Sequence, residues 1–201
     1  MSKLREIGRL NAFTDGVMVV AMTLLVLDIR VPDHLDRLDG IALLHALGEL
    51  WPKFFGYLLS FVVIAQYWLG YTQKFGEMRS ADTSFAWLNI YLLLFIGFIP
   101  FVTSLLGENG GTVATSFYAA TMVLVSSWLC LMWLYARRHG FLESEFTVRE
   151  HWRELVPWLQ VAGVFGASII VAQFHPDFAK MMWVLVAIPL KTRKPKAAGG
   201  T

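Results

Sequence analysis

Long stretches without an acidic or basic residue are the feature that most constrains this chain. Four runs contain no Asp, Glu, Lys or Arg, and they cover residues 54–73, 83–107, 109–136 and 155–174. A helix needs about 20 mostly apolar residues to cross the hydrocarbon of a bilayer. Barrel strands would instead alternate polar and apolar residues, and backbone in lipid must satisfy its own hydrogen bonds. The chain is therefore predicted to be an all-α polytopic membrane protein.

Two shorter apolar segments complete a set of six transmembrane helices. Residues 16–27 are uncharged, and residues 181–190 lie between Lys180 and Lys191, whose side chains can snorkel toward the headgroups. We predict one domain over residues 1–190 and a disordered tail over residues 191–201. Asp82 and Thr112 are predicted to cap the third and fourth helices at their N-termini. The predicted helices cover about residues 6–29, 45–74, 82–106, 112–137, 148–174 and 177–191.

The distribution of basic residues predicts the orientation in the membrane. On a six-helix arrangement, one side receives all but four of the 17 basic residues. The other side receives Arg30, Arg37, Lys53 and Lys180. Cytoplasmic loops carry the excess of Lys and Arg, so both termini are predicted to be cytoplasmic.

No arrangement typical of an enzyme is present. The five histidines are scattered over predicted loops, and the single cysteine, Cys130, lies within an apolar run. There is no phosphate-binding glycine loop of either common type. We therefore expect no catalytic activity, no cofactor, no resident metal and no nucleic-acid partner.

Asp15 stands at the membrane boundary of the first helix. A carboxylate there is either held by protein or water inside the membrane, or simply favoured by the dipole of a helix start. Arg9 is too far along the same helix to pair with it directly. A partner on another helix is expected for each of these two residues.

One stripe of the first helix carries a single polar side chain. Gly16, Val20, Thr23 and Leu27 are spaced four, three and four residues apart, so they share one face. In a lone helix this is a packing face, with the threonine hydroxyl bonded to the preceding turn. Around an oligomer axis it would be a ring of hydroxyls between two apolar rings, as in a narrow pore. Spacing alone favours packing.

The first helix also contains a recognisable motif. The pattern Arg9-x-x-x-Phe13-Thr14-Asp15 resembles the first-helix signature of the lysosomal potassium channel family (transmembrane protein 175 type), in its prokaryotic six-helix branch. The resemblance extends through the first three helices. Its further elements are Gly16-Val17, Thr23-Leu24-Leu25-Val26-Leu27, Pro32, Tyr57-x-x-Ser60-Phe61, Trp68, Trp87-Leu88-Asn89 and Pro100-Phe101-x-Thr103-x-Leu105.

The resemblance implies a potassium-permeable cation channel of the prokaryotic plasma membrane. It implies a symmetric homotetramer in which the first helix of each subunit lines the pore. Val20 and Leu27 would form hydrophobic constrictions, and Thr23 a selectivity ring with transient potassium nearby. Modest potassium selectivity and proton permeation are further properties of the family.

The same resemblance assigns a packing role to the charged motif. Arg9, Phe13, Thr14 and Asp15 would stabilise contacts between helices. The Thr-Val-Gly-Tyr-Gly filter loop of other potassium channels is absent.

Two positions depart from the family pattern. Thr14 replaces the usual serine, which retains the hydroxyl, and Tyr71 stands where the family has a histidine. The second departure would rearrange the hydrogen bonds between helices.

Two other functions are compatible with the composition. A secondary transporter would show repeated halves and interrupted helices around a midplane site, but no repeat is obvious and mid-span charge is nearly absent. A non-conducting membrane scaffold is the second alternative.

Overall fold

The computed structural model describes residues 2–30, 40–76, 78–142 and 148–187, and these ranges contain helices and no strand. The all-helical prediction is confirmed. The seven α-helices within these ranges are α1 (Ser2–Leu24), α2 (Gly40–Glu49), α3 (Trp51–Phe75), α4 (Thr83–Glu108), α5 (Thr112–Arg138), α6 (Val148–Ala172) and α7 (Pro176–Met182). Two 3₁₀ turns, Leu25–Asp28 and Trp183–Ala187, continue α1 and α7.

In the described part of the chain, five helical segments are long and apolar enough to cross a membrane: Ile7–Asp28, Trp51–Phe75, Thr83–Glu108, Thr112–Arg138 and Trp152–Ala172. They alternate in direction through the bundle. Hydrogen bonds join the C-terminal half of α3 to Asn11 and Asp15 of α1, and the N-cap of α4 to the last turn of α5. The chain is a multi-pass membrane protein.

The predicted second helix, residues 45–74, is two helices in the structure. α2 ends at Glu49 and α3 begins at Trp51, with Pro52 in its first turn. Proline has no amide hydrogen to donate and fits the first turn of a helix, where donors have no partner. Pro52 is the sequence signal that separates the two helices.

The predicted last helix, residues 177–191, also differs. α7 ends at Met182 and the chain continues as a 3₁₀ turn to Ala187, while residues 188–201 and the predicted tail lie outside the described residues. The segment runs back along α6: the Trp183 indole donates to the Ser168 hydroxyl at 2.8 Å, and Gln160 donates to the Leu185 carbonyl at 3.4 Å. Its twelve residues rise about 20 Å, less than a bilayer core. The sixth crossing stays a prediction.

The two predicted helix caps have different outcomes. The N-cap prediction for Asp82 is confirmed, since its carboxylate accepts a 2.7 Å hydrogen bond from the Phe85 amide. The N-cap prediction for Thr112 is wrong by one residue, because Gly111 occupies that position and Thr112 begins α5.

Aromatic side chains and hydroxyls fill the core between α3, α4, α5 and α6. The buried Ser60 hydroxyl lies 2.8 Å from the Thr103 hydroxyl and 2.9 Å from that of Tyr118, and so joins three helices. Tyr67 is similarly bonded to Ser126 on α5 at 2.8 Å. In a membrane, apolar burial does not drive helices together, so such hydrogen bonds and close packing hold the bundle.

A charge pair closes the bundle at the end where α1 begins. The Lys74 ammonium, whose side chain is only 5% exposed, pairs with Glu154 of α6. It also lies 5.6 Å and 5.2 Å from the ring centroids of Trp133 and Trp158, at cation–π distance. The pair ties the end of α3 to α5 and α6.

Candidate functional site

α1 presents two opposite stripes with opposite surroundings. Thr14, Met18, Ala21 and Leu25 share one stripe and are buried against the rest of the chain. The stripe predicted from sequence, Gly16, Val20, Thr23 and Leu27, is offset from it by two residues. At 3.6 residues per turn, that offset is about half a turn.

The outward stripe is left uncovered by the chain's own helices. Val20 is 54% exposed and Leu27 is 67% exposed, whereas Met18, two residues before Val20, is fully buried. Gly16 and Thr23 are exposed as well. No charged side chain lies on the stripe, so its surface consists of apolar groups and one hydroxyl.

The Thr23 hydroxyl is oriented by its own helix. Its Oγ1 donates to the Val20 carbonyl oxygen at 2.9 Å. This local bond is the one expected for a threonine in a packing face. It consumes the hydroxyl proton and leaves the oxygen lone pairs as acceptors, so an exposed Thr23 can still coordinate a cation or hold a water molecule.

Asp15 is held by a neighbouring helix. The Trp68 indole Nε1 on α3 donates to Asp15 Oδ1 at 2.8 Å. The prediction that Asp15 has a partner on another helix is confirmed. A hydrogen bond to an ionised acceptor is stronger than one between neutral groups, and the bond anchors the start of the stripe to α3.

Thr14 joins α1 to α4. Its hydroxyl donates to the Leu10 carbonyl at 2.9 Å and accepts from Asn89 Nδ2 at 2.8 Å. Both side chains are completely buried. Asn89 belongs to the Trp87-Leu88-Asn89 element of the family resemblance, but the sequence does not predict its bond to Thr14.

Tyr71, at the position where a histidine was expected, contacts the same end of α1. The ring is buried, and its hydroxyl lies 3.5 Å from Asn11 Oδ1, which is long for a hydrogen bond. Tyr71 therefore fills the space between α3 and α1 mainly by packing.

The other two motif residues are exposed on the single chain. Phe13 is 57% exposed. Arg9 is exposed as well, and in the described part of the chain no side-chain hydrogen bond or ion pair joins it to another residue. Thr14 and Asp15 are the motif residues whose side chains are hydrogen-bonded to neighbouring helices there.

A second hydrogen bond between helices lies at the other end of the stripe, and the sequence did not predict it. Asp28, directly after Leu27, accepts a 2.5 Å hydrogen bond at Oδ1 from the Ser104 hydroxyl of α4. Its only signal in the sequence is a carboxylate at the predicted membrane boundary, the same signal that singled out Asp15.

No resident metal site is formed within the described ranges, where no three His, Cys, Asp or Glu side chains come together. What the α1 stripe offers is neutral oxygen and apolar surface. Such a surface suits the passage of a weakly held ion rather than its storage.

Comparison with known proteins identifies relatives over the same region. The family described as "Endosomal/lysosomal potassium channel TMEM175" matches residues 9–100, which hold most of α1, all of α2 and α3, and most of α4. The chain is 36% identical over 187 residues to a potassium channel of Chamaesiphon minutus, covering 91% of this chain and 89% of that one. It is 37% identical over 97 residues to the mouse endosomal/lysosomal proton channel TMEM175, a match covering 46% of this chain and 19% of the mouse protein.

The fold has a solved counterpart. The crystal structure of a lysosomal potassium-selective channel TMEM175 homolog from Chamaesiphon minutus superposes with a TM-score of 0.77 and 28% identity. The superposition covers 91% of this chain and 95% of that chain.

Proposed function

This chain belongs to the TMEM175 channel family, and we propose that four copies of it form a potassium-permeable cation channel lined by α1. Its relatives are ion channels and not enzymes. We propose the tetramer, the pore-lining role of α1 and the roles of its individual residues.

The observation that carries the proposal is the position of the Gly16–Val20–Thr23–Leu27 stripe. α1 buries its opposite stripe against α3 and α4 and leaves this one uncovered. Thr23 lies within the apolar span Ile7–Asp28, and its exposed hydroxyl oxygen favours a watery or ion-filled surrounding over lipid. Fourfold symmetry would create that surrounding, because it places four copies of one stripe around a shared axis.

Two apolar rings and one polar ring follow from this arrangement. Val20 and Leu27 lie one turn to either side of Thr23, so four copies would give constrictions above and below a ring of hydroxyls. An apolar constriction can exclude water and so close a pore without side chains touching across it. The hydroxyl oxygens would replace part of the hydration shell that an ion loses between the constrictions.

Selectivity in such a pore is modest. The chain lacks the carbonyl filter loop of other potassium channels, and hydroxyls are neutral dipoles of weak field. We propose a preference for potassium over sodium that is smaller than a carbonyl filter provides. Because the mouse relative is named a proton channel, proton flux belongs in the same functional assay.

We further propose that both termini are cytoplasmic in a prokaryotic plasma membrane. The bundle end that contains the start of α1 holds Arg9, Lys74, Arg79, Arg137, Arg138 and Arg153. The described part of the opposite end holds Arg30, Lys53 and Lys180. This asymmetry favours the first end as the cytoplasmic one.

Potassium flux in proteoliposomes tests the function directly. Purified protein should pass potassium down its gradient, while liposomes without protein should not. A transporter would instead show flux that saturates with potassium and depends on a coupled ion, and a scaffold would show none. Native mass spectrometry of the same preparation should give four chains. Flux from a preparation that contains only monomers would contradict the shared pore.

A further inference from the structure

The segment that bears the stripe changes from α-helix to 3₁₀ helix after Leu24. α1 becomes a 3₁₀ turn over Leu25–Asp28. With three residues per turn, side chains three apart lie directly above one another. Asp28 therefore follows Leu25, which is 2% exposed, onto the buried side of the helix. Leu27 stays on the outward side, 67% exposed.

Asp28 meets α4 at a place where the backbone comes close. The Ser104 hydroxyl donates to Asp28 Oδ1 at 2.5 Å. One turn further along α4, a Cβ added at Gly107 would lie 3.7 Å from Asp28 Oδ2 and 3.1 Å from Lys53 Cγ. The missing side chain of Gly107 thus lets α1, α3 and α4 converge around the Asp28 carboxylate.

From these contacts we infer that Asp28 is a positioning residue for the Leu27 constriction and acts through its hydrogen bond with Ser104. This inference rests on the proposed function. The covalent neighbour of Leu27 is fixed to α4, so the radial position of Leu27 relative to the pore axis is set by that bond. Without it, Leu25 would remain as the buried side chain of the 3₁₀ turn.

The alternative is that Asp28 acts by its charge, by attracting cations to the mouth of the pore. Substitutions separate the two roles. Asp28→Asn keeps an oxygen that can accept from Ser104 and removes the charge. Ser104→Ala keeps the charge and removes the donor. Asp28→Ala removes both.

The measurement is the permeability of caesium and methylammonium relative to potassium, from reversal potentials in planar bilayers. Ser104→Ala and Asp28→Ala should both raise the permeability of these larger ions by about twofold to tenfold, as expected for loss of one hydrogen bond. Asp28→Asn should resemble the wild type. Ser116→Ala is the matched control, because Ser116 lies near the start of α5, at the same end of the bundle, and bonds Gln173 instead.

A double variant tests whether the effect passes through Leu27. In the Leu27→Ala background, Ser104→Ala should add nothing, since the side chain that it positions is gone. An additive effect would overturn the inference. So would an Asp28→Asn variant that matches Asp28→Ala while Ser104→Ala behaves as wild type, because charge would then be the active property.

Failure of the proposed function is recognised separately. If the wild type forms tetramers but passes no potassium, the channel itself is rejected and the positioning role with it. If the wild type conducts and Leu27→Ala alters its permeability while Ser104→Ala does not, only the positioning role is rejected. Tetramer yield from native mass spectrometry shows that each variant is assembled.

Discussion

The Trp68 indole of α3 donates a 2.8 Å hydrogen bond to the Asp15 carboxylate of α1, one residue before the outward stripe begins. At the other end, the Ser104 hydroxyl of α4 bonds the Asp28 carboxylate, one residue after the stripe finishes. The two carboxylates bracket the stripe and fix its ends to two different helices. The stripe between them has no such tie, and the chain's own helices leave it uncovered.

Removal of the Asp15 carboxylate should destabilise the bundle without altering ion preference. Asp15→Ala leaves the Trp68 indole hydrogen without its acceptor, at a cost of about 1–2 kcal/mol. Asp15→Asn keeps an acceptor oxygen and should cost less. Thermal unfolding in detergent and native mass spectrometry would report stability and tetramer yield, and reversal potentials the selectivity.

Trp68→Phe serves as the partner variant for Asp15. If the two residues act through their hydrogen bond, the double variant Asp15→Ala with Trp68→Phe should be less destabilised than the sum of the single changes. An Asp15→Ala protein that assembles normally but loses its cation preference would instead make Asp15 part of the ion pathway.

Shortening the side chains of the apolar rings should increase flux. Leu27→Ala and Val20→Ala each remove branched carbon from a proposed constriction, which should ease wetting and raise potassium flux severalfold in proteoliposomes. Leu94→Ala is the control, because it is the same change at an exposed position of α4, away from the stripe. Equal flux from Leu94→Ala and Leu27→Ala would place the constriction elsewhere.

The helical architecture could be predicted because membrane spans are encoded locally. Uncharged runs of sufficient length gave α3, α4, α5 and α6 to within a few residues at most of their ends. The second and the last predicted helices differ from the structure, and each difference has its own cause. Pro52 divides the second predicted helix. The last one changes to a 3₁₀ turn where the Gln66 and Gln160 side chains bond the Val186 and Leu185 carbonyls.

The site was less accessible from sequence than the fold. Spacing identified the Gly16–Val20–Thr23–Leu27 stripe, but periodicity cannot say which side of a uniformly apolar helix is buried. The structure supplies that fact through Met18 and Leu25 on the opposite side. The bonds from Asn89 and Ser104 join residues 75 and 76 positions apart, and no local pattern predicts such pairs.

Protonation of Asp82 at low pH should lower the stability of the folded state at the start of α4. Desolvation raises the pKa of the Asp82 carboxyl, but hydrogen bonds from the Tyr135 hydroxyl and the Phe85 amide, with His139 nearby, outweigh it and lower the pKa overall. A carboxyl whose pKa is lower in the folded state stabilises that state above its unfolded pKa of about 3.9. The contribution is lost as the pH falls through the folded value.

Asp82→Asn isolates this contribution. The amide oxygen can still cap α4 at the Phe85 amide, but it does not titrate. As the pH is lowered from about 5 to 3, the unfolding temperature should fall less steeply for Asp82→Asn than for the wild type. Equal slopes would assign the acid sensitivity to other carboxylates.

The last prediction concerns Thr23 and the preference for potassium. Because its hydroxyl proton is engaged by the Val20 carbonyl, only the oxygen lone pairs remain available to a passing ion. Thr23→Val keeps the branched shape and removes the oxygen, so α1 should pack as before. The reversal potential under opposed potassium and sodium gradients in planar bilayers should shift toward loss of potassium preference. Ser116→Ala, a hydroxyl removed from outside the stripe, should leave it unchanged. An unshifted reversal potential in a tetrameric Thr23→Val protein would mean that the hydroxyl serves its own helix and not the ion.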